Sequence, residues 1–329
     1  MRGYTPYPLN YCKDVQNMES FIIALNSVLP IFLMLALGYF LKQIKLIDET
    51  MITKVNKLVF KVFLPILLFK NVYTSQLKSV FNLKLILFAP IVVILLYLLS
   101  IPIICKLRKD NRRRGAMIQA IFRSNFVILG IPIISTIYNN EPSAVPALLT
   151  AIVVPLFNFL AVITLEVFRG EKPRISKILR SIITNPLILA TLLGFAVNFS
   201  GLRLPEVICS TVSSIAAVAS PLSIVLLGAF FKFDNIKHDM KDVLICTFGR
   251  LVAFPLIGSV LAVALGFRGV EFASLLIAFS APPAISSFTM AQQMDSDYTI
   301  AGETVIVASA LSCFTIFVWI FLYSSLGII

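Results

Sequence analysis

Uninterrupted apolar runs recur along this chain, and each is about as long as a bilayer is thick. Between Lys84 and Lys106 there is no charged residue at all, only Leu, Ile, Val, Phe, Ala, Tyr, Ser, Cys and two prolines. A helix of about 20 such residues covers a ~30 Å hydrocarbon core. Hydrocarbon offers the backbone no hydrogen-bond partner, so only helices and closed barrels cross it. The runs are continuous and do not alternate, which argues against a barrel. With 58% hydrophobic and 13% charged residues in 329, a soluble core could not hide this surface. The expected fold class is all-α polytopic membrane protein.

Ten spans are expected. They run at about 20–41, 56–74, 84–105, 116–138 and 145–168, then at about 182–200, 205–231, 243–266, 270–293 and 300–326. Pro30, Gly38 and Pro65 reappear at one common offset as Pro186, Gly194 and Pro221. Farther on, Pro90 answers Pro255, and Pro132 finds Pro282 and Pro283, with offsets shifted by unequal loops. A duplication with five spans per copy places the two halves upside down relative to each other, as in many secondary transporters. The expected boundaries are 1–168 for the first five-helix repeat, 169–181 for a cytoplasmic linker and 182–329 for the second repeat.

The formal charge of +12 raises nucleic-acid binding, but position argues otherwise. Lys and Arg concentrate in alternate loops at 42–57, 106–114, 169–180 and 232–241. The opposite face holds only Arg2, Lys13, Lys70, Lys78, Lys84, Arg203 and Arg268. The rich face is expected in the cytoplasm of a cell-membrane protein, with both termini outside. Lys61 and Arg250, near the cytoplasmic ends of their spans, read as snorkelling side chains. The five cysteines lack metal or disulfide spacing. His238 lies in a charged loop, and no HExxH or phosphate-loop motif occurs, so intramembrane metalloprotease and ATP-driven pump chemistry lack their parts. No catalytic residue, cofactor or metal is expected. No Asp or Glu falls at the centre of a span, which disfavours an antiporter built on a buried acid pair.

Two spans carry polar residues beside helix breakers. The fourth reads Phe122-Arg-Ser-Asn-Phe-Val-Ile-Leu-Gly-Ile-Pro, and the ninth reads Ala281-Pro-Pro-Ala-Ile-Ser-Ser-Phe-Thr-Met-Ala-Gln-Gln. Proline removes an amide donor and clashes with the preceding turn, so breaks are expected at Gly130 with Pro132 and at Pro282 with Pro283. Broken backbone at membrane depth is tolerated only where protein or a watery cavity covers it. Its free helix ends suit ions, although a packing kink is the plainer reading of a membrane proline. Asn125, Ser124, Arg123, Ser286, Ser287 and Gln292 are the candidate substrate-binding residues. An amide offers two donors to a carboxylate, while Asn and Ser also join helices. For Arg123 the two readings are a carboxylate-attracting charge and a snorkelling side chain.

In these strings the chain resembles the auxin efflux carrier family, and Asn185-Pro-Leu-Ile-Leu-Ala-Thr-Leu-Leu-Gly and Pro221-Leu-Ser-Ile-Val-Leu-Leu-Gly extend the likeness over nearly all of it. The resemblance implies a scaffold of spans 1, 2, 6 and 7, a possible homodimer surface, and a mobile unit of spans 3–5 and 8–10. Within that unit the fourth and ninth spans would cross at mid-membrane. It also implies that Asn125 contacts a substrate carboxylate. Two features depart from the plant members: a long central loop is missing, and Gln292-Gln293 stand where a charged pair is usual. The expected function is alternating-access transport of a small organic anion, such as a mono- or dicarboxylate, with the bilayer as its other partner. The rivals are a sodium-coupled symporter of bile-acid type and a non-transporting receptor or assembly subunit.

Overall fold

A computed structural model describes residues 28–75, 82–138, 144–170, 175–231 and 233–329. The expected start of the first span, 20–27, and residues 171–174 of the expected linker lie outside the described residues. Among the described residues all regular structure is helical. Five helices are long and apolar enough to cross a membrane: Leu83–Leu107, Val145–Val167, Glu206–Phe230, His238–Ala264 and Tyr298–Ser325. A sixth results if the pair Ile178–Thr184 and Pro186–Ser200, bent by 54°, is one span. The other segments expected to span hold shorter or broken helices.

The described residues open with α1 (Val28–Gln43) and continue into α2 (Glu49–Leu58), whose first turn is capped by the Asp48 carboxylate. A five-residue π-helical turn, Val59–Phe63, joins α2 to α3 (Leu64–Tyr73). A second, Gly249–Ala253, joins α11 (Phe233–Phe248) to α12 (Phe254–Ala264). Each wide turn comes just before a proline, Pro65 or Pro255. A proline ring clashes with the carbonyl four residues back and cannot donate to it; a widened turn gives it room. At Pro255 the stranded carbonyl is that of Leu251, and the buried indole of Trp319 donates to it at 2.9 Å.

α1 and α10 (Glu206–Phe230) touch backbone to backbone. A Cβ on Gly38 would fall 2.0 Å from the Val225 carbonyl oxygen, and one on Gly228 would fall 2.1 Å from that of Leu35. Glycines set against the opposite backbone in this way let apolar helices approach closely, where dispersion replaces the hydrophobic effect. α3 packs on α10 and on α9 (Pro186–Ser200). The bend into α9 after α8 (Ile175–Thr184) is set locally: Asn185 caps the amide of Leu187 at 2.9 Å, and Pro186 opens the helix.

A second group packs α4 (Leu83–Leu107) against α5 (Asn111–Phe122) and α7 (Ala144–Val167). In the same group α12 packs against α13 (Gly269–Ser280), and α14 (Ser286–Gln293) against α15 (Tyr298–Ser325). At one end, Arg113 of α5 reaches Asp239 and Asp242 of α11, and Arg108 pairs with Asp242. Part of the basic loop at 106–114 is thus neutralised within the fold. Among the described residues, Cys105, Cys209, Cys246 and Cys313 form no disulfide.

Candidate functional site

The helix is interrupted in both segments where a break was expected, but one interruption is displaced from the expected position. Helix α5 ends at Phe122, Arg123 is extended (φ −79°, ψ 131°), and α6 (Phe126–Ile137) begins after Asn125. Gly130 and Pro132 therefore lie inside α6, not at the break. Ser and Asn compete for backbone hydrogen bonds and favour helix starts, and the Ser124-Asn125 pair is where the chain leaves its helix. Gly130 has a packing reason: the Phe126 ring lies where its Cβ would be. In the ninth segment α13 ends at Ser280, and Ala281 to Ile285 separate it from α14. Pro282 and Pro283 stand within that stretch. The two breaks touch, because the amide of Asn125 donates to the carbonyl of Pro282 at 2.8 Å.

Beside this junction lies a cavity of about 760 Å³, its open mouth included. Its polar wall comes from Arg123, Ser124 and Asn125 at one break, Ser286 at the other, Asn158 of α7, Asn71 of α3, and Ser220 and Ser223 of α10. Leu64, Leu67, Leu68, Val127, Ile128, Val154, Phe157, Leu187 and Ile285 supply the apolar wall. Both α6 and α14 start at this wall, so the positive ends of two helix dipoles meet there.

Arg123 is 4% exposed and does not snorkel. One terminal nitrogen donates to Asn158 Oδ1 at 2.6 Å and to Ser286 Oγ at 2.8 Å; the other contacts Met290 Sδ at 2.7 Å. Asn158 is held in turn by its own bond to the Val154 carbonyl. Among the described residues, no carboxylate lies within ion-pair distance of Arg123. The Asn125 side-chain nitrogen and the Ser124 hydroxyl are buried with no hydrogen-bond partner among the described residues.

The geometry brings together Arg123, Ser124, Asn125 and Ser286. Ser287 is buried behind the wall, and its hydroxyl has no partner among the described residues. Gln292 is also off the cavity: its oxygen accepts from the Asn56 amide of α2. Asn158, Asn71, Ser220 and Ser223 were not expected. The signal for Asn158 was present, since a proline with a polar residue three positions later (Pro155, Asn158) repeats the Pro283-to-Ser286 spacing of the ninth segment.

Arg250 is a further correction to the snorkelling reading. It is 0% exposed, and its guanidinium donates to backbone carbonyls at both breaks. Helix ends leave carbonyls without partners, and a buried guanidinium that meets several of them has no reason to reach for water. Lys61, read in the same way, is exposed.

A family model described as a membrane transport protein matches residues 23–320. An uncharacterized transporter of Methanothermobacter thermautotrophicus is 26% identical over 304 residues, covering 91% of this chain and 98% of its own. The uncharacterized transporter MJ1031 of Methanocaldococcus jannaschii is 24% identical over 310 residues, with the same coverages. The uncharacterized transporter YfdV of Escherichia coli is 22% identical over 298 residues, 87% of this chain and 93% of its own.

Proposed function

Because the chain belongs over nearly its whole length to the membrane transport protein family, which is the auxin efflux carrier family, we propose that it carries a small organic anion across the membrane by alternating access. The observation that supports this most is the state of Arg123. A buried guanidinium whose partners are two neutral oxygens and a thioether carries an uncompensated charge. Desolvation makes such a charge costly by several kcal/mol. A carboxylate in the cavity would offset that cost, and the starts of α6 and α14 would add to the attraction. The Asn125 side chain offers donors with no competing partner, and Ser124 and Ser286 offer hydroxyls.

In this reading each broken or bent pair counts as one crossing, which gives ten spans in two inverted halves. The broken fourth and ninth spans cross at mid-membrane, inside a mobile unit of α4–α7 and α11–α15. The scaffold is α1–α3 with α8–α10, and its outer face is where two copies would pair. The cavity lies between the two groups, because α3, α9 and α10 supply one wall and the two breaks the other. A shift of one group against the other would open it first to one side and then to the other. The expected linker at 169–181 faces the cytoplasm, its residues from 175 on being the start of α8, and both termini lie on the opposite side of the cell membrane.

Thermal unfolding of the purified protein against monocarboxylates, dicarboxylates and aromatic acids tests the anion reading. A ligand at 100 times its dissociation constant adds about 2.7 kcal/mol to stability. The expected result is a midpoint that rises with one class of carboxylate and not with its amide or ester. If organic cations raise it instead, or no carboxylate does, the anion reading is wrong.

A further inference from the structure

The carbonyl-rich side of the crossover carries a cation of its own. α5 and α13 end there, and each leaves carbonyls that no helical amide reaches. Arg250 Nε donates to the Ala281 carbonyl at 2.6 Å, and one terminal nitrogen donates to that of Ala278 at 3.0 Å. The other donates to the Phe122 carbonyl at 3.2 Å and the Ile121 carbonyl at 3.5 Å. The guanidinium also lies 4.9 Å from the centre of the Phe254 ring. Among the described residues, no carboxylate pairs with it. Each helix C-terminus is equivalent to roughly half a negative charge, so two together about match one guanidinium.

The two arginines at the crossover therefore differ. Arg250 is balanced by backbone and has its donors occupied; Arg123 faces the cavity without a counter-charge. In carriers that run on a cation gradient, half-helix C-termini and unwound carbonyls seat the driving ion. Here those groups are already engaged.

We propose that Arg250 is the resident cation of the crossover. It is a positioning residue that ties the C-terminal ends of α5 and α13 into one body. It also takes the place a coupling metal ion would hold, so anion carriage by this chain needs no sodium. The second part rests on the anion-carrier reading above; the first does not.

The test uses the purified full-length protein and thermal unfolding. Wild type is expected to unfold at the same midpoint in sodium chloride and in choline chloride. Arg250→Ala is expected to lose roughly 5–10 °C and to recover most of it in methylguanidinium chloride, but not in methylammonium or sodium chloride. Arg250→Lys, which keeps the charge and loses the planar fork, is expected to fall between the two, and it serves if the alanine variant does not fold. Any carboxylate that stabilises wild type should do so equally in sodium and in choline.

A wild-type midpoint higher in sodium than in choline would overturn the proposal, as would an Arg250→Lys midpoint equal to that of wild type. So would an alanine variant indifferent to methylguanidinium. If no carboxylate stabilises wild type, the anion reading fails, while rescue by methylguanidinium still decides the role of Arg250.

Discussion

The backbone amide of Asn125 donates to the carbonyl of Pro282 at 2.8 Å, which fastens the non-helical stretch of one interrupted helix to that of the other. The main chain makes this bond, and the side-chain nitrogen of Asn125 has no partner among the described residues. If the cavity takes an anion, structure and recognition are thus divided within one residue. Asn125→Ala should leave the melting midpoint of the ligand-free protein nearly unchanged. It should weaken carboxylate binding by about 1–3 kcal/mol, the cost of an unpaired buried partner. The concentration dependence of the ligand-induced shift measures this directly. An unchanged shift would remove Asn125 from the site.

Arg123 should behave differently, because its fork serves Asn158 and Ser286 at once. An ammonium in its place keeps the charge but cannot keep both bonds and also pair with a ligand in two-point fashion. Arg123→Lys is expected to lower affinity about tenfold or more, and Arg123→Gln to abolish the carboxylate-induced shift. Asn158→Ala should also weaken binding, since it frees the guanidinium from a bond that aims it. Gln292→Ala is the contrast. Its oxygen is engaged by Asn56 away from the cavity, so ligand affinity should stay where it was.

The membrane helices were legible because the bilayer imposes a length and an apolarity that no local detail can evade. Even the broken segments announced themselves, since polar residues beside prolines are costly in hydrocarbon. What sequence gives poorly is rotation and neighbourhood. Gln292 is six residues past Ser286, about 240° around the helix at 100° per residue, so a site on one excludes the other. Pro132 drew the first break toward itself, yet a proline inside a membrane helix is tolerated when its surroundings cover the freed carbonyl. Arg250 looked like a snorkelling residue because its depth could be read and its neighbours could not. Only the fold brings the ends of α5 and α13 onto it.

Contact between α1 and α10 gives a prediction about that helix pair alone. Gly38 and Gly228 sit against carbonyls of the opposite helix, with no flexible side chain that could move aside. Gly228→Val should force the two helices apart and lower the melting midpoint in detergent by an amount equivalent to at least ~1–3 kcal/mol. Gly38→Val should do the same, and the double variant should add little, because the first substitution has already opened the contact. Gly170 has open space around its Cβ position, so Gly170→Ala should be neutral within about 0.5 kcal/mol. Equal stability of all four variants would mean the helices do not approach this closely.

Trp319 supplies the last test, of how the fold accommodates Pro255. The proline cannot donate to the Leu251 carbonyl, and the indole of Trp319 does so at 2.9 Å from a position only 8% exposed. Trp319→Phe keeps most of the apolar contact and removes the donor. A buried carbonyl left without a partner costs about 1–3 kcal/mol, which should appear as a lower unfolding midpoint. The π-helical turn that holds Arg250 ends just before Pro255, so loosening it should reach the two helix breaks as well. The Trp319→Phe midpoint is therefore expected to rise in part when Pro255 is also replaced by alanine, because the restored amide can satisfy the same carbonyl. If Trp319→Phe alone is as stable as wild type, that carbonyl has another partner and the indole contributes packing only.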